Sequence, residues 1–296
     1  MQNNANMSAS ENQGSMVGQN HGIINNTFQS NEDIRQRIRE WLSPPDPTPF
    51  FHQASKLRHV GTGEWFLKSK RYQTWRNGEP SFLWLYGIPG CGKSVLATSI
   101  IEDLREDEHE DTTEDSATAY YFFTFRDTRL QDAVGMLKSL IMQLAMQQKT
   151  FPTALINFWG SRTTRHDILS IPALLGVLRE VVRSYTKCTI ILDALDECND
   201  RDGLLVAFNE LTTWQSQGFH ILVTGRREGD LEAHLETTLR KPMGDFAVCL
   251  ESHQVDADIQ SFVQMKLSTT KALLKWNAYE ELRVQIVDRL KDAHGM

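Results

Sequence analysis

Short apolar runs, each followed by a polar turn and then an amphipathic tract, recur along the chain. The runs at Ser81 to Tyr86, Tyr120 to Phe125, Thr189 to Leu192, His220 to Thr224 and Phe246 to Leu250 have strand length. They carry apolar residues at successive positions, which suits strands of a sheet covered on both faces. The tracts LQDAVGMLKSLIMQLAMQ and IPALLGVLREVVRSY between them repeat apolar residues at helical spacing. This alternation predicts an α/β fold, a parallel sheet sandwiched by helices, with its ligand crevice at the carboxyl ends of the strands.

The flanks follow other rules. Asn31 stands as an N-cap before EDIRQRIREWL, where Ile34, Ile38, Trp41 and Leu42 fall on one helical face, and SPPDPTP ends that helix and forms a stiff linker. EWFLKSKRYQTW predicts one helix running to Gly78. After the glycine-rich turn at 87–92 a helix is predicted to about Leu104, with the acidic REDEHEDTTEDSAT as a solvated loop.

Composition narrows the function classes. A chain of 296 residues, 40% hydrophobic and 23% charged, can bury a full core. Its net charge of −7 argues against a surface built mainly for nucleic acid, so no nucleic-acid partner is expected. Cys91, Cys188, Cys198 and Cys249 form no CxxC pair and are read as free thiols in a reducing compartment. With no membrane span and no signal peptide legible in the sequence, a cytoplasmic location is expected.

The turn carries the chemistry. Gly87-Ile88-Pro89-Gly90-Cys91-Gly92-Lys93-Ser94 fits GxxxxGK[ST] between a predicted strand and a predicted helix. Glycines let backbone N–H groups converge on phosphate oxygens, and the helix start adds partial positive charge at the same spot. Lys93 would neutralise the β and γ phosphates and the Ser94 hydroxyl would ligate Mg²⁺.

In TIILDALDEC an apolar strand delivers Asp193 as the partner carboxylate for the metal. Asp196 and Glu197 follow as two candidates to orient or deprotonate an attacking water; the alternative is that they cap and open a helix starting near Asp202. HILVTGRRE places Arg226 at another strand end, where its fork could contact a terminal phosphate. The alternative there is that Arg226 and Arg227 pair with Glu228 or Asp230.

In combination, FLWLYGIPGCGKS, LDALDE and ILVTGRR resemble the NACHT-domain NTPases of the STAND class, particularly the fungal NLR-like proteins. The flanks IREWLSPPDPTPFFHQASKLRHVGTGEWFL and VCLESHQVDADIQSFVQMKL resemble the same family, so the resemblance runs from about residue 31 to the end. It implies a P-loop NTPase operating as a switch. ADP holds a closed form, ATP exchange permits self-association, and any hydrolysis is slow; GTP stays open beside ATP. Relatives often carry Thr-Ser-Arg where this chain has Thr224-Gly225-Arg226, which questions the hydroxyl contact of the middle position. Relatives also continue beyond the point where this chain ends, implying an N-terminal portion without sensing repeats.

The organisation expected is a tail at 1–30, a helix and Pro-rich lead-in at 31–62, the nucleotide core at 63–251 and the start of a C-terminal helical region at 252–296. The tail is rich in Asn, Gln, Gly and Ser. GSMVGQNHGIINNTF loosely resembles the amyloid signalling motifs that precede fungal NACHT domains, which implies an effector protein recruited by templated assembly. A second class of function thus stays open: a non-enzymatic scaffold whose nucleotide only stabilises the fold.

Overall fold

The computed structural model describes residues 31–58, 61–78, 81–110, 115–161, 169–214, 218–240, 243–250, 252–271, 273 and 279–292. The tail at 1–30, with its assembly motif, lies outside the described residues.

Five parallel strands form one sheet: β1 (Ser81–Tyr86), β2 (Ser116–Phe122), β3 (Lys187–Asp193), β4 (Phe219–Gly225) and β5 (Ala247–Cys249). Their spatial order is β2-β3-β4-β1-β5, so β4 lies between the strand preceding the glycine-rich turn and the strand carrying Asp193. Successive residues of the central strands serve opposite cores, as the unbroken apolar runs require. Trp84, Ile190, Leu192, Ile221 and Val223 face one cluster, while Leu83, Leu85, Ile191 and Leu222 face the other.

Around the sheet the chain builds α1 (Asn31–Leu42), α2 (Thr48–Leu57), α3 (Glu64–Leu67), α4 (Lys70–Asn77), α5 (Lys93–Glu110), α6 (Ala133–Gln147) and α7 (Thr153–Gly160). It continues with α8 (Ile171–Val182), α9 (Arg201–Thr213), α10 (Gly229–Leu239), α11 (Met243–Phe246), α12 (Ser252–Thr269) and α13 (Glu280–Asp292). Buried residues of α1 and α6 to α11 join the first cluster, and those of α2 to α5 the second. Val263 and Leu267 of α12 pack with Phe262, Leu273 and Ile286 in a small separate cluster.

Several local expectations are corrected. Asn31 lies inside α1. The prolines that end α1 also begin a helix that the periodicity does not mark: Asp46 accepts from the Thr48 amide at 3.0 Å, and Pro49 sits in the first turn of α2, where a missing N–H is harmless. Both helices belong to the core, with Ile38 and Leu42 of α1 fully buried and Phe51 of α2 nearly so. Arg35 secures α1 by donating to the Gln148 and Lys149 carbonyls just past the end of α6, each at 3.0 Å.

The helix expected over residues 64–75 breaks at Lys68-Ser69, where the Ser69 hydroxyl accepts from the Tyr72 amide at 3.2 Å and restarts the chain as α4. Helix α5 runs six residues beyond Leu104, to Glu110, so the first six of the fourteen residues in the acidic stretch expected as a loop are helical. Glu and Arg are good helix formers, and nothing in that segment breaks the turn.

Strand β2 starts four residues before its expected position and ends three before. Its first turns of sequence are small residues, yet Ala117 and Ala119 are buried against the α6 side, where a small side chain lets the helix approach. Gln143 of α6 then covers the free edge, accepting from the Tyr120 amide at 3.1 Å and donating to its carbonyl at 2.7 Å. An edge strand whose polar groups are satisfied by a helix is closed to further pairing.

Candidate functional site

The glycine-rich turn leaves β1 at Tyr86 and enters α5 at Lys93, the strand–loop–helix context expected of it. Gly90 and Gly92 have φ of 78° and 85°, a left-handed backbone that side chains disfavour and that turns the loop's N–H groups inward. The Lys93 ammonium spans the loop, donating to the Gly87 and Ile88 carbonyls at 2.8 Å each. Pro89 and Gly90 are exposed beside it, and Cys91 is buried beneath.

At the tip of β3, Asp193 is 2% exposed. Burial pushes its carboxyl up to about 6, against the opposing pull of hydrogen bonds from Ser94 and Thr224 and the charge of Lys93; Glu197 pushes the same way as burial. The Thr224 hydroxyl at the tip of β4 donates to Asp193 Oδ1 at 2.6 Å. A buried carboxylate beside a hydroxyl and an ammonium, facing a left-handed glycine loop, fits Mg²⁺ with phosphate. Among the described residues no three His, Cys, Asp or Glu side chains are grouped to hold a metal. Such an ion would therefore take most of its ligands from phosphate and water, as Mg²⁺ commonly does.

The two acids after Asp193 are separated by geometry. They lie in a single 3₁₀ turn, Leu195–Glu197, entered through Ala194 in the left-handed region at φ 58°. Asp196 is engaged through both oxygens by one residue: the Arg226 amide donates to Oδ1 at 3.0 Å and Arg226 Nε lies 2.9 Å from Oδ2. Glu197 lines a 220 Å³ cleft together with Ser94 and Asp193, and its Oε2 accepts from the Phe125 amide at 3.0 Å. Neither acid caps the following helix, because Asp200 does so by accepting from the Gly203 amide at 3.0 Å.

The arginines after β4 take other partners than Glu228 and Asp230. Arg226 holds Asp196, and Arg227 makes a two-pronged pair with Glu232 at 2.8 and 2.7 Å. Glu228 and Asp230 pair instead with Arg201 at the start of α9. The departure at Gly225 has a local cause: a Cβ there would stand 3.3 Å from Asp196 Oδ1. The hydroxyl that holds Asp193 belongs to Thr224, one position earlier.

Sequence reasoning missed two contributors. Arg126, exposed in the loop after β2, lines the same cleft as Ser94, Asp193 and Glu197. The signal was present in YYFFTFRD, since chemistry was to be sought after each strand. The second is an apolar cavity of 260 Å³ beside Gly90, Cys91 and Gly92, bounded by residues as distant in sequence as Trp65 and Phe262. No local motif marks it. None of the four cysteines is in a disulfide, three of them are buried, and no helix among the described residues is long and apolar enough to cross a membrane.

The family described as nephrocystin 3, N-terminal, matches residues 61–226. Vegetative incompatibility protein HET-E-1 of Podospora anserina is 25% identical over 221 residues, covering 72% of this chain and 16% of that protein, so the chain spans a small part of that relative. Among solved structures, the Aeropyrum pernix ORC1 protein in complex with DNA is similar with a TM-score of 0.46 and 17% identity, over 70% of this chain and 50% of that one. Drosophila ORC bound to DNA is similar with a TM-score of 0.37 and 18% identity, over 92% and 55%. The sequence match spans the glycine-rich turn, Asp193, the acidic pair and Arg226, and on it this chain belongs to the nephrocystin 3 N-terminal family, as a NACHT-type P-loop NTPase of the STAND class.

Proposed function

We propose that this chain is the nucleotide-operated core of a signalling switch whose hydrolysis is slow and resets its state. The observation that carries this is the convergence of Ser94, Asp193 and Glu197 on one cleft, with the charge of Lys93 acting on Asp193 and Arg226 paired with Asp196, the neighbour of Glu197 in the chain. Ser94 and Asp193 would hold Mg²⁺, which supplies charge neutralisation on phosphate oxygens when bound. Lys93 would add a second positive charge at the loop.

Glu197 would take a proton from attacking water; its carboxylate lining the cleft, while Asp196 is committed to Arg226, supports that choice. A terminal phosphate would compete with Asp196 for the Arg226 guanidinium, whose fork suits either group. That exchange is how the strand end would report the presence of the phosphate. Arg126 supplies further positive charge at the same cleft.

The Podospora relative is a vegetative incompatibility protein, which supports a role in incompatibility signalling; cell-death signalling and self-association are what the family resemblance implies. Four cysteines outside any disulfide suit a reducing cytoplasm. The test is to purify the chain, denature it and identify released nucleotide by chromatography, alongside Lys93→Ala. Co-purifying nucleotide in the parent, its loss in a variant that still melts cooperatively, and turnover far below the ~10 s⁻¹ median of enzymes are expected. Turnover of several per second, or nucleotide retained by Lys93→Ala, would overturn the reading.

A further inference from the structure

The arginines near the carboxyl edge of the sheet are nearly all spoken for. Arg226 holds Asp196, Arg227 holds Glu232, Arg201 holds Glu228 and Asp230, and Arg129 takes Asp127, the acid next to Arg126 in the chain. Arg126 forms no ion pair among the described residues, yet it lines the cleft with Ser94, Asp193 and Glu197.

The loop that carries Arg126 is held from several sides. Thr124, 6% exposed, donates its amide to the Leu130 carbonyl at 3.3 Å, and its own carbonyl accepts from the Gln131 amide side chain at 3.1 Å. The Thr124 hydroxyl accepts from the Arg126 amide at 3.2 Å. The Phe123 amide donates to the Asp193 carbonyl at 3.0 Å, and the Phe125 amide donates to Glu197 Oε2 at 3.0 Å. The loop is thus tied both to the tip of β3 and to the acid that lines the cleft. Arg126 and Glu197 are held in register with each other.

We infer that Arg126 is a catalytic arginine supplied in cis, which meets the terminal phosphate during its transfer and completes the hydrolytic site within a single chain. The inference rests on the nucleotide reading above and adds to it the source of charge for the transition state. As the bond from the water oxygen to the terminal phosphorus forms, the phosphorus bond to the bridging oxygen breaks. The electron pair leaves with the nucleoside diphosphate, and the proton of the water passes to Glu197. Negative charge spreads over the equatorial oxygens of the phosphoryl group, and a guanidinium fork fixed in advance meets it with little reorganisation. Arg226 reaches that phosphate by giving up Asp196, one anion exchanged for another, whereas Arg126 gives up only water. An arginine in cis also agrees with slow turnover, about 10⁻² s⁻¹ in nucleotide switches that carry one.

The test uses aluminium fluoride, which with a bound diphosphate stands in for the phosphoryl group in transfer. Release of labelled ADP, and separately of labelled GDP, from the full chain with Mg²⁺ is followed during a chase with and without the fluoride. In the parent the fluoride is expected to slow release of the diphosphate it holds by about 10²-fold or more, as a transition-state analogue should. Arg126→Ala is expected to release that diphosphate at the parent's rate and to show no slowing by fluoride. Its single-turnover hydrolysis should fall by about 10³-fold. Arg126→Lys keeps the charge but not the fork, so it is expected to lose the fluoride effect as well, and it decides if Arg126→Ala lacks the parent's cooperative melt. The parent's rate per chain should not change with protein concentration. A fluoride effect and hydrolysis rate retained by the variant, or a parent rate that rises with concentration, would overturn the inference. A parent that holds a diphosphate without any fluoride effect would do the same and leave the nucleotide reading standing. Failure of the parent to hold either diphosphate would instead remove the nucleotide reading itself, and the inference with it.

Discussion

Thr224 Oγ1 donates to Asp193 Oδ1 at 2.6 Å and accepts from the Ala194 amide at 3.1 Å, tying the tips of β3 and β4 together. The hydroxyl is fully buried, so neither bond can be replaced by water. Thr224→Val keeps the shape and removes both. The expected loss is ~1.5–3 kcal/mol of stability at neutral pH, the range for a hydrogen bond to a charged group, read from the urea midpoint. Thr224→Ser is expected to recover most of it. A Thr224→Val protein as stable as the parent would show that the strap contributes nothing.

The division of labour between the two acids makes a kinetic prediction. Glu197→Gln is expected to slow single-turnover hydrolysis by ~10²–10⁴-fold, the usual contribution of a general base, while leaving nucleotide bound. Asp196→Asn weakens the hold on Arg226 and is expected to change hydrolysis far less, acting instead on how the variant distinguishes diphosphate from triphosphate. If the two substitutions had interchanged effects, Asp196 would be the base and the ion pair with Arg226 a resting arrangement.

His220, 2% exposed on β4 with its ring edge-on to Trp75 at 5.7 Å, is pushed down to about 4 by burial, with Lys187 acting in the same direction. Above its ordinary value of 6.5 both folded and unfolded forms are neutral and its titration costs nothing. As pH falls from 6.5 to about 4 the unfolded chain takes the proton and the folded chain does not, so stability is lost over that window, by at most about 3 kcal/mol. Asp193 titrates nearby with the opposite sign, since its raised carboxyl makes stability fall as pH rises toward 6. The comparison is therefore between parent and His220→Gln, whose urea midpoints from pH 7 to 4 should show a shallower decline in the variant.

Helix α1 is part of the core and not an appendage. Leu42 is fully buried in the same cluster as Trp84 of β1 and Leu140 of α6. Leu42→Ala is expected to cost ~2–5 kcal/mol, and thermal unfolding should remain a single transition at a lower temperature. A separate early transition, with the main one unmoved, would mean that α1 docks independently.

How much was legible in advance depended on how far apart the cooperating residues lie. GIPGCGKS carried its own context, because a strand, a left-handed glycine turn and a helix start within a dozen residues make a phosphate loop by backbone geometry alone. Asp193 was legible for the same reason: an unbroken apolar run ends on it. The start of β2 was not, because small residues such as Ala117 and Ala119 mark a close helix approach rather than a hydrophobic run. Helix α2 was hidden because proline ends one helix and opens the next with equal ease, and the choice between them was made by Phe51 and Ala54 finding a core to enter.

By itself, then, the sequence determined the class of fold, the phosphate loop and the carboxylate that faces it, since each is written in periodicity or spacing along a short stretch. The tertiary structure decided which acid faces the cleft, that Arg226 grips Asp196, that Arg126 shares the cleft, and that Asp258 reaches across the chain to Gly63 and Trp65. Those are pairings through space between side chains that many others could have met. Hydrogen-bond and ion-pair partners are selected only once the sheet has brought its strand ends to a common edge, and no spacing rule along the chain encodes that meeting.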